Sequence, residues 1–305
     1  MENRTIPNTQ LEVSPVCLGT MTFGTPVDEG DAIGIVHWAL DHGINFIDTA
    51  NMYEGYTRVL GSSGGVAEDY IGKALVDRRG EAVLATKVGH PIGPEPGDMG
   101  LSRAHIKREC DNSLKRLATD YVDLYYMHAP YPDTPIEESI ATFVELIGAG
   151  KVRYWALSNF DADQTREVLQ SCDANGWQRP VVHQPPYSLL KRDAEAELLP
   201  FCRQEDIGVV PYQILQGGLL SGKYQDPCAP PPGSRAAEKP EWVPLLQDEK
   251  VRQELGRLGA RAAEQGLSLF DYAVQTTANT PGIISIIMGV KNTGQLKDAI
   301  SALSH

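Results

Sequence analysis

Positive charge is scarce in this 305-residue chain: 27 Lys and Arg stand against 40 Asp and Glu, a formal net charge of −13. Such a field repels phosphodiester backbones and anionic bilayers, so neither nucleic acid nor a membrane surface is an expected partner. An anionic cofactor remains compatible, because it needs only a local cluster of cations. Cysteine is sparse too. Cys17, Cys110, Cys172, Cys202 and Cys228 are odd in number, scattered, and include no Cys-x-x-Cys, which points to reduced thiols and a cytoplasmic location. No apolar signal region follows Met1-Glu2-Asn3-Arg4, and the longest apolar run, 282–290, is too short to span a bilayer. His37, His42, His105 and His183 show no His-Glu-x-x-His or similar spacing, so no metal site is expected. The first apolar run is followed by Gly19-Thr20-Met21-Thr22-Phe23-Gly24. That is not the Gly-x-Gly-x-x-Gly turn a doubly wound dinucleotide fold requires, which leaves such a sheet as the second choice.

What is present is rhythm. Short runs rich in Val, Ile, Leu and Tyr occur at 16–19, 45–47, 82–87, 121–127, 152–157, 181–183, 208–211 and 282–288. They lack clean alternation, as strands buried on both faces of a parallel sheet do. Amphipathic stretches separate them at 31–42, 67–78, 102–117, 136–149, 161–171 and 195–205, with three more at 248–265, 269–278 and 294–303. Eight strands alternating with helices in this length predict an α/β protein of one domain, 1–305, folded as a (β/α)8 TIM barrel. Residues 3–14 predict a β-hairpin before the barrel, turning at Pro7-Asn8-Thr9. The proline-rich stretch 225–246, with Pro227, Pro230, Pro231, Pro232, Pro240 and Pro244, predicts a long loop after strand 7, on the ligand-binding face. The Gly-rich run at 61–65 reads as a flexible loop.

Barrel enzymes place chemistry at the carboxyl ends of their strands. Three of those ends carry ionisable groups: Asp48 on the second strand, Lys87 on the third and His128 on the fourth, with Tyr53 on the loop after the second. Each taken singly fits an ordinary structural residue. Four at one rim on consecutive strands indicate a site. A lysine ending a buried strand needs a carboxylate beside it, and Asp48 on the adjacent strand supplies one.

Several stretches together resemble the aldo-keto reductase superfamily: Asp48-Thr49-Ala50-x-x-Tyr53, Ala85-Thr86-Lys87, Asp123-Leu124-Tyr125-Tyr126-Met127-His128, Gly150-Lys151-Val152-Arg153-Tyr154, Ser158-Asn159-Phe160, Gln184-Pro185-Pro186-Tyr187 and Gly217-Gly218-Leu219-Leu220-Ser221-Gly222-Lys223-Tyr224. The resemblance covers essentially the whole chain in order. It implies a barrel that reduces aldehydes or ketones, or oxidises an alcohol or sugar in reverse, using a nicotinamide cofactor without metal. Elementary chemistry agrees. Hydride transfer to a carbonyl develops an alkoxide that needs a nearby proton donor. A free phenol titrates at about 10. An ammonium at ~4 Å contributes about 4 kcal/mol at an effective dielectric of 20, which corresponds to about three pKa units. Lys87, kept charged by Asp48, is thus expected to lower the pKa of Tyr53, with His128 orienting the carbonyl.

The resemblance further implies that Ser158, Asn159 and Gln184 hold the nicotinamide carboxamide, with Tyr212 stacked on its ring and Gly19-Thr20-Met21 on the far side. Leu215 to Leu219, including Gly217, with Lys223 and Arg235, would cradle the pyrophosphate. Gly289-Val290-Lys291 and a helix carrying Gln295 and Asp298 would seat a 2′-phosphate, which favours NADPH over NADH. The chain departs from the family pattern at Gln213-Ile214 (usually Ser-Pro), Met288 (usually Pro), Ala299 (often Asn) and an insertion at 55–65. An apolar substrate mouth is expected from Met21, Phe23, Met52, Tyr131, Trp155 and Trp242, taking a small-molecule carbonyl or alcohol. The alternative is a cofactor-sensing auxiliary protein on the same fold, since members of this family serve potassium channels in that way.

Overall fold

The computed structural model describes every residue except Leu60, Gln225, Pro227 and His305. Parts of the expected insertion at 55–65 and loop at 225–246 therefore lie outside the described residues. A two-residue antiparallel hairpin opens the chain, β1 Arg4–Thr5 with β2 Glu12–Val13. Eight parallel strands follow: β3 Val16–Gly19, β4 Phe46–Asp48, β5 Val83–Val88, β6 Val122–Met127, β7 Val152–Ser158, β8 Val182–Gln184, β9 Gly208–Val209 and β10 Ile286–Gly289. They hydrogen-bond in sequence, with β10 returning beside β3. The sheet closes where Ile284 N donates to the Val209 carbonyl at 2.9 Å and Ile287 N to the Pro211 carbonyl at 3.0 Å. This is the (β/α)8 barrel, with the hairpin in front of it.

The helices are α1 Glu29–Asp41, α2 Val66–Ala74, α3 Arg103–Arg116, α4 Ile136–Gly148, α5 Ala162–Asn175, α6 Leu198–Gln204, α7 Arg235–Glu238, α8 Glu249–Glu264, α9 Leu269–Ala278 and α10 Thr293–Ala302, all but the four-residue α7 belonging to the outer layer. Their ends follow local chemistry. Asp161 and Gln164 form a reciprocal capping box at the start of α5, and Gly176, at φ 65°, stops it in the left-handed region. That stop carries α5 past the expected end at 171. Conversely α2 ends at Ala74 rather than 78, because Asp77 adopts φ 63° and turns the chain. The expected helix 195–205 begins only at Leu198, behind a 3-10 turn at Asp193–Glu195. The loop after the seventh barrel strand, β9, is not structureless: it folds into α7 and short 3-10 turns at Pro240–Trp242 and Pro244–Gln247.

Side-chain alternation divides the core into two layers. Inward residues such as Phe46, Ala85, Leu124, Tyr126, Ala156 and Val182 fill the barrel, and Ile6, Leu11 and Val13 of the hairpin close its floor. Outward residues such as Ile47, Leu84, Tyr125, Met127, Trp155 and Leu157 pack under the helices. The same period of two continues the inward set to Asp48, Lys87, His128, Ser158 and Gln184 at the strand ends. Two helices, α2 and the end of α3, approach closely at one glycine. A Cβ on Gly72 of α2 would lie 2.3 Å from the Arg116 carbonyl oxygen, with Leu117 backbone atoms also within 3.0 Å. Gly72→Ala is therefore expected to lower the urea midpoint by the equivalent of about 1–3 kcal/mol. An unchanged midpoint would refute this contact.

Candidate active site

Parity brings Asp48 and Lys87 face to face inside the barrel mouth. Lys87 is fully buried, and its three donors are all used: Asp48 Oδ1 at 2.5 Å, the Thr49 carbonyl at 2.9 Å and Tyr53 Oη at 3.3 Å. The other carboxylate oxygen, Asp48 Oδ2, accepts from Gln184 Nε2 at 2.9 Å. Burial alone would push the Lys87 ammonium down, but Asp48 and the Tyr53 hydroxyl outweigh it and hold the pKa above its ordinary value. Tyr53 is half-buried, with Lys87 Nζ 5.0 Å from its ring centre and the His128 ring edge-on at 6.0 Å.

The phenol does not follow the expected downward shift. Burial pushes Tyr53 up and Asp48 adds to that, while the charge and hydrogen bond of Lys87 pull it back only in part. The net direction is upward, because removing a phenolate from water costs more here than one ammonium shared with a carboxylate returns. Lys87 limits the rise rather than producing a fall. His128 is held well below 6.5, first by burial and then by the charges of His90, Lys87 and Arg58. Its imidazole is neutral at physiological pH, and its Nδ1 has no partner. His90, 4.2 Å from the His128 ring, is shifted down by burial and by the charges of Arg58 and Lys87.

Asp48, Tyr53 and His128 open into a cleft of about 1180 Å³ that runs from His128 across the barrel rim to α10, with Lys87 buried behind them. Gly19, Thr20, Met21, Ser158, Asn159, Gln184, Tyr212, Gln213, Leu215, Gly217, Lys223, Arg235, Gly289, Lys291, Gln295 and Asp298 all line it. Ser158, Asn159, Gln184 and Tyr212 are ordered by one another. Ser158 Oγ donates to the Gln184 carbonyl at 3.0 Å, Asn159 Nδ2 to the His128 carbonyl at 2.8 Å, and Tyr212 Oη to Asn159 Oδ1 at 2.7 Å. Burial pushes Tyr212 up to about 12, so it remains a donor. Asn159 itself sits at φ 64°, as does Gln213 at φ 60°; such left-handed backbone is concentrated at sites that position side chains. Gly217 and Gly218, at φ 67° and 94°, turn bare backbone toward the cleft beside Lys223.

At the α10 end, Lys223, Arg235 and Lys291 gather. Partial desolvation and then the charges of Lys291 and Arg235 hold the Lys223 ammonium below its usual value, with Glu238 opposing. Arg235 Nε donates to Tyr56 Oη at 3.1 Å, and Lys291 Nζ lies 5.2 Å from the Tyr56 ring centre. Lys291 is not free: it donates to the Gly233 carbonyl at 2.8 Å and pairs with the Glu238 carboxylate. The donor set fits a dinucleotide, with three cations and bare backbone where phosphates would lie.

The substrate end differs from expectation. Met52 and Trp242 line the cleft. Trp155 does not: on β7 it has the outward parity, is fully buried, packs on Phe143 at 5.6 Å and donates from Nε1 to the Gln178 carbonyl. Phe23 is likewise fully buried in the core. Tyr131 stands behind the cleft wall, its hydroxyl 3.2 Å from His90 Nδ1. Sequence reading missed Tyr56, Arg58 and His90, which do line the cleft. Arg58 is held by the carbonyls of Met52 and Pro91. Among the described residues, no group of three or more His, Cys, Asp or Glu is placed to hold a metal ion. None of the helices among them is long and apolar enough to cross a membrane.

A closed parallel barrel with a lysine–carboxylate pair, a phenol and a neutral imidazole at the head of a dinucleotide-sized cleft defines a barrel oxidoreductase. Comparison with known proteins agrees: the sequence model described as the Aldo/keto reductase family matches residues 15–305. An uncharacterized oxidoreductase, YrpG of Bacillus subtilis (strain 168), is 38% identical, the match covering 99% of this chain and 91% of the relative. A probable voltage-gated potassium channel subunit beta of Arabidopsis thaliana is 33% identical, covering 99% and 91%. The aldo-keto reductase YhdN of Bacillus subtilis (strain 168) is 32% identical, covering 100% and 89%. The chain belongs to the aldo/keto reductase family, and it is an NAD(P)H-dependent oxidoreductase of small carbonyl compounds.

Proposed function

We propose that the protein reduces aldehydes or ketones with NADPH, Tyr53 serving as the proton donor. The observation that carries this reading is the convergence of Lys87 Nζ on Asp48 at 2.5 Å and on Tyr53 Oη at 3.3 Å, beside a neutral His128. Ser158, Asn159 and Gln184 would hold the nicotinamide, the backbone of Gly217 with Lys223 and Arg235 would hold the pyrophosphate, and Lys291 with Gln295 would take a 2′-phosphate. When bound, the reduced nicotinamide supplies hydride to the carbonyl carbon. The carbonyl oxygen, oriented by His128, takes its proton from Tyr53 Oη. Lys87 stabilises the phenolate left behind, and the phenol recovers its proton from solvent. The test is a panel of carbonyls and alcohols followed at 340 nm with each cofactor. Carbonyl-dependent oxidation of NADPH, faster than that of NADH, is expected.

His128 supplies a second test. Because its pKa lies well below 6.5, its charge does not change between pH 6 and 8, and neither does that of Tyr53, whose pKa is raised above 10. The kcat/KM profile for reduction should therefore be level across that range. A limb near pH 6.5 that disappears in His128→Gln would refute the neutral assignment.

The second reading is favoured by the Arabidopsis thaliana relative, a probable voltage-gated potassium channel subunit beta. Under it, the chain is a cofactor-bound auxiliary protein. Tight cofactor retention with negligible turnover on every carbonyl tested would establish that reading over the first.

A further inference from the structure

We propose that Glu238 is a specificity-determining residue that limits the affinity for 2′-phosphorylated cofactor by holding Lys291 for itself. The inference rests on the dinucleotide reading of the cleft and names how one end of it discriminates.

Lys291 follows β10, where strand ends meet ligand in this fold. Its ammonium has three N–H donors. One meets the Gly233 carbonyl at 2.8 Å and another the Glu238 carboxylate, while the ring of Tyr56 lies 5.2 Å away. Both acceptors belong to one turn of chain. Ser234 caps α7 by accepting from Ala237 N, and Glu238 N closes onto the Ser234 carbonyl at 3.1 Å. Gly233 and Glu238 thus form a hook at the two ends of α7 that closes on the lysine. The hook is anchored to the opposite wall: Arg235, in the same turn, donates to Tyr56 Oη at 3.1 Å, and Trp242 packs edge-on against Tyr56 at 5.1 Å. Lys291 is largely sheltered, at 22% side-chain exposure, while Glu238, at 34%, opens to solvent on one side.

Charge arithmetic shows what Glu238 costs the phosphorylated cofactor. Lys223, Arg235 and Lys291 provide three positive charges, and Glu238 removes one. The two that remain match a pyrophosphate, which carries two negative charges. A 2′-phosphate adds roughly two more. It must then take Lys291 from Glu238, and until Glu238 withdraws it faces a carboxylate across the same ammonium. Asp271 and Asp298 also line this end of the cleft and add to the repulsion, but neither bonds Lys291. Without the 2′-phosphate, a cofactor leaves the pair undisturbed. Glu238 therefore acts on one cofactor and not on the other.

The experiment titrates NADPH and NADH separately into the full chain, by quenching of protein fluorescence at fixed ionic strength. It compares the wild type with Glu238→Gln, Lys291→Ala and the double variant; Asp271 and Asp298 remain in all four. A partly exposed ion pair contends with the phosphate for one donor and its carboxylate repels the incoming charge, so its loss is worth about fivefold. Glu238→Gln should tighten NADPH by that factor or more and change NADH by less than twofold. In the Lys291→Ala background the same substitution should have little effect on NADPH. Three outcomes overturn the proposal: unchanged NADPH affinity in Glu238→Gln, equal changes for both cofactors (which would make Glu238 a support of α7 only), or an undiminished effect without Lys291. Failure of the wild type to bind either cofactor would overturn the dinucleotide reading itself, and this inference with it.

Discussion

Tyr53→Phe should lower carbonyl reduction at least about 10²-fold, the usual consequence of losing one positioned acid, while folding and NADPH binding stay near wild type. The asymmetry follows from the contacts. The Tyr53 hydroxyl accepts one hydrogen bond, from Lys87 at 3.3 Å, and that ammonium keeps Asp48 and the Thr49 carbonyl. The lost contact is therefore worth about 1 kcal/mol of stability. Of the phenol, imidazole and ammonium gathered at this rim, the phenol is the one left to deliver a proton at neutral pH. The imidazole is neutral, and the ammonium is committed to its carboxylate with a raised pKa. The measurement is single-turnover reduction in both proteins, with thermal unfolding as control. Near-normal turnover in Tyr53→Phe would remove the assignment.

The raised phenol pKa also bears on direction. Reduction needs the protonated form, which persists throughout neutral pH, whereas alcohol oxidation needs the phenolate. With burial the largest cause of the shift and Lys87 only an offset, oxidation should accelerate as pH rises toward the alkaline range.

Much of this arrangement was legible in the sequence because its causes are local. Parallel strands buried on both faces are contiguous apolar runs, and their ends advertise polar residues. Asp48, Lys87 and His128 could be read because each ends such a run with the parity of the barrel interior. The same parity was available for Trp155, three residues before Ser158, and it places that ring under the helices against Phe143. Composition had suggested a substrate wall there; alternation contradicts it. Other features depend on long-range geometry that no period carries. Gly89 turns the chain at φ 133° just after β5, which breaks the alternation and brings His90 back beside His128. Tyr56, Arg235 and Trp242 meet only because an insertion and a proline-rich loop cross the same cleft. Lys291 was visible as a cation near a helix start, but its partner Glu238, 53 positions away, was not. The direction of the Tyr53 shift failed for a related reason. A pairwise ammonium–phenol energy is readable from spacing, whereas the larger desolvation cost is a property of the assembled pocket.

Lys87→Met should damage both chemistry and stability, and the two losses are separable. Methionine fills the space of the lysine stem but leaves the Asp48 carboxylate inside the barrel with Gln184 Nε2 as its remaining side-chain donor. Breaking a buried pair on one side costs about 3–5 kcal/mol, so the urea midpoint should fall sharply. The raised Lys87 pKa fixes the pH range: a group whose folded pKa exceeds its unfolded value contributes fully below the unfolded value, near 10.5. The loss should therefore be constant from pH 6 to 9. Catalysis falls by a different route. The charge and hydrogen bond of Lys87 oppose the burial shift of Tyr53, and without them the phenol becomes a poorer acid and its phenolate an unstabilised product, so reduction should drop at least about 10²-fold. Adding Asp48→Asn removes the orphaned charge. The double variant should regain most of the lost stability and none of the activity, because the amide leaves no buried ion and supplies no cation to Tyr53. Recovery of turnover alongside stability would show that Lys87 only holds the barrel mouth together. Recovery of stability alone assigns it both roles.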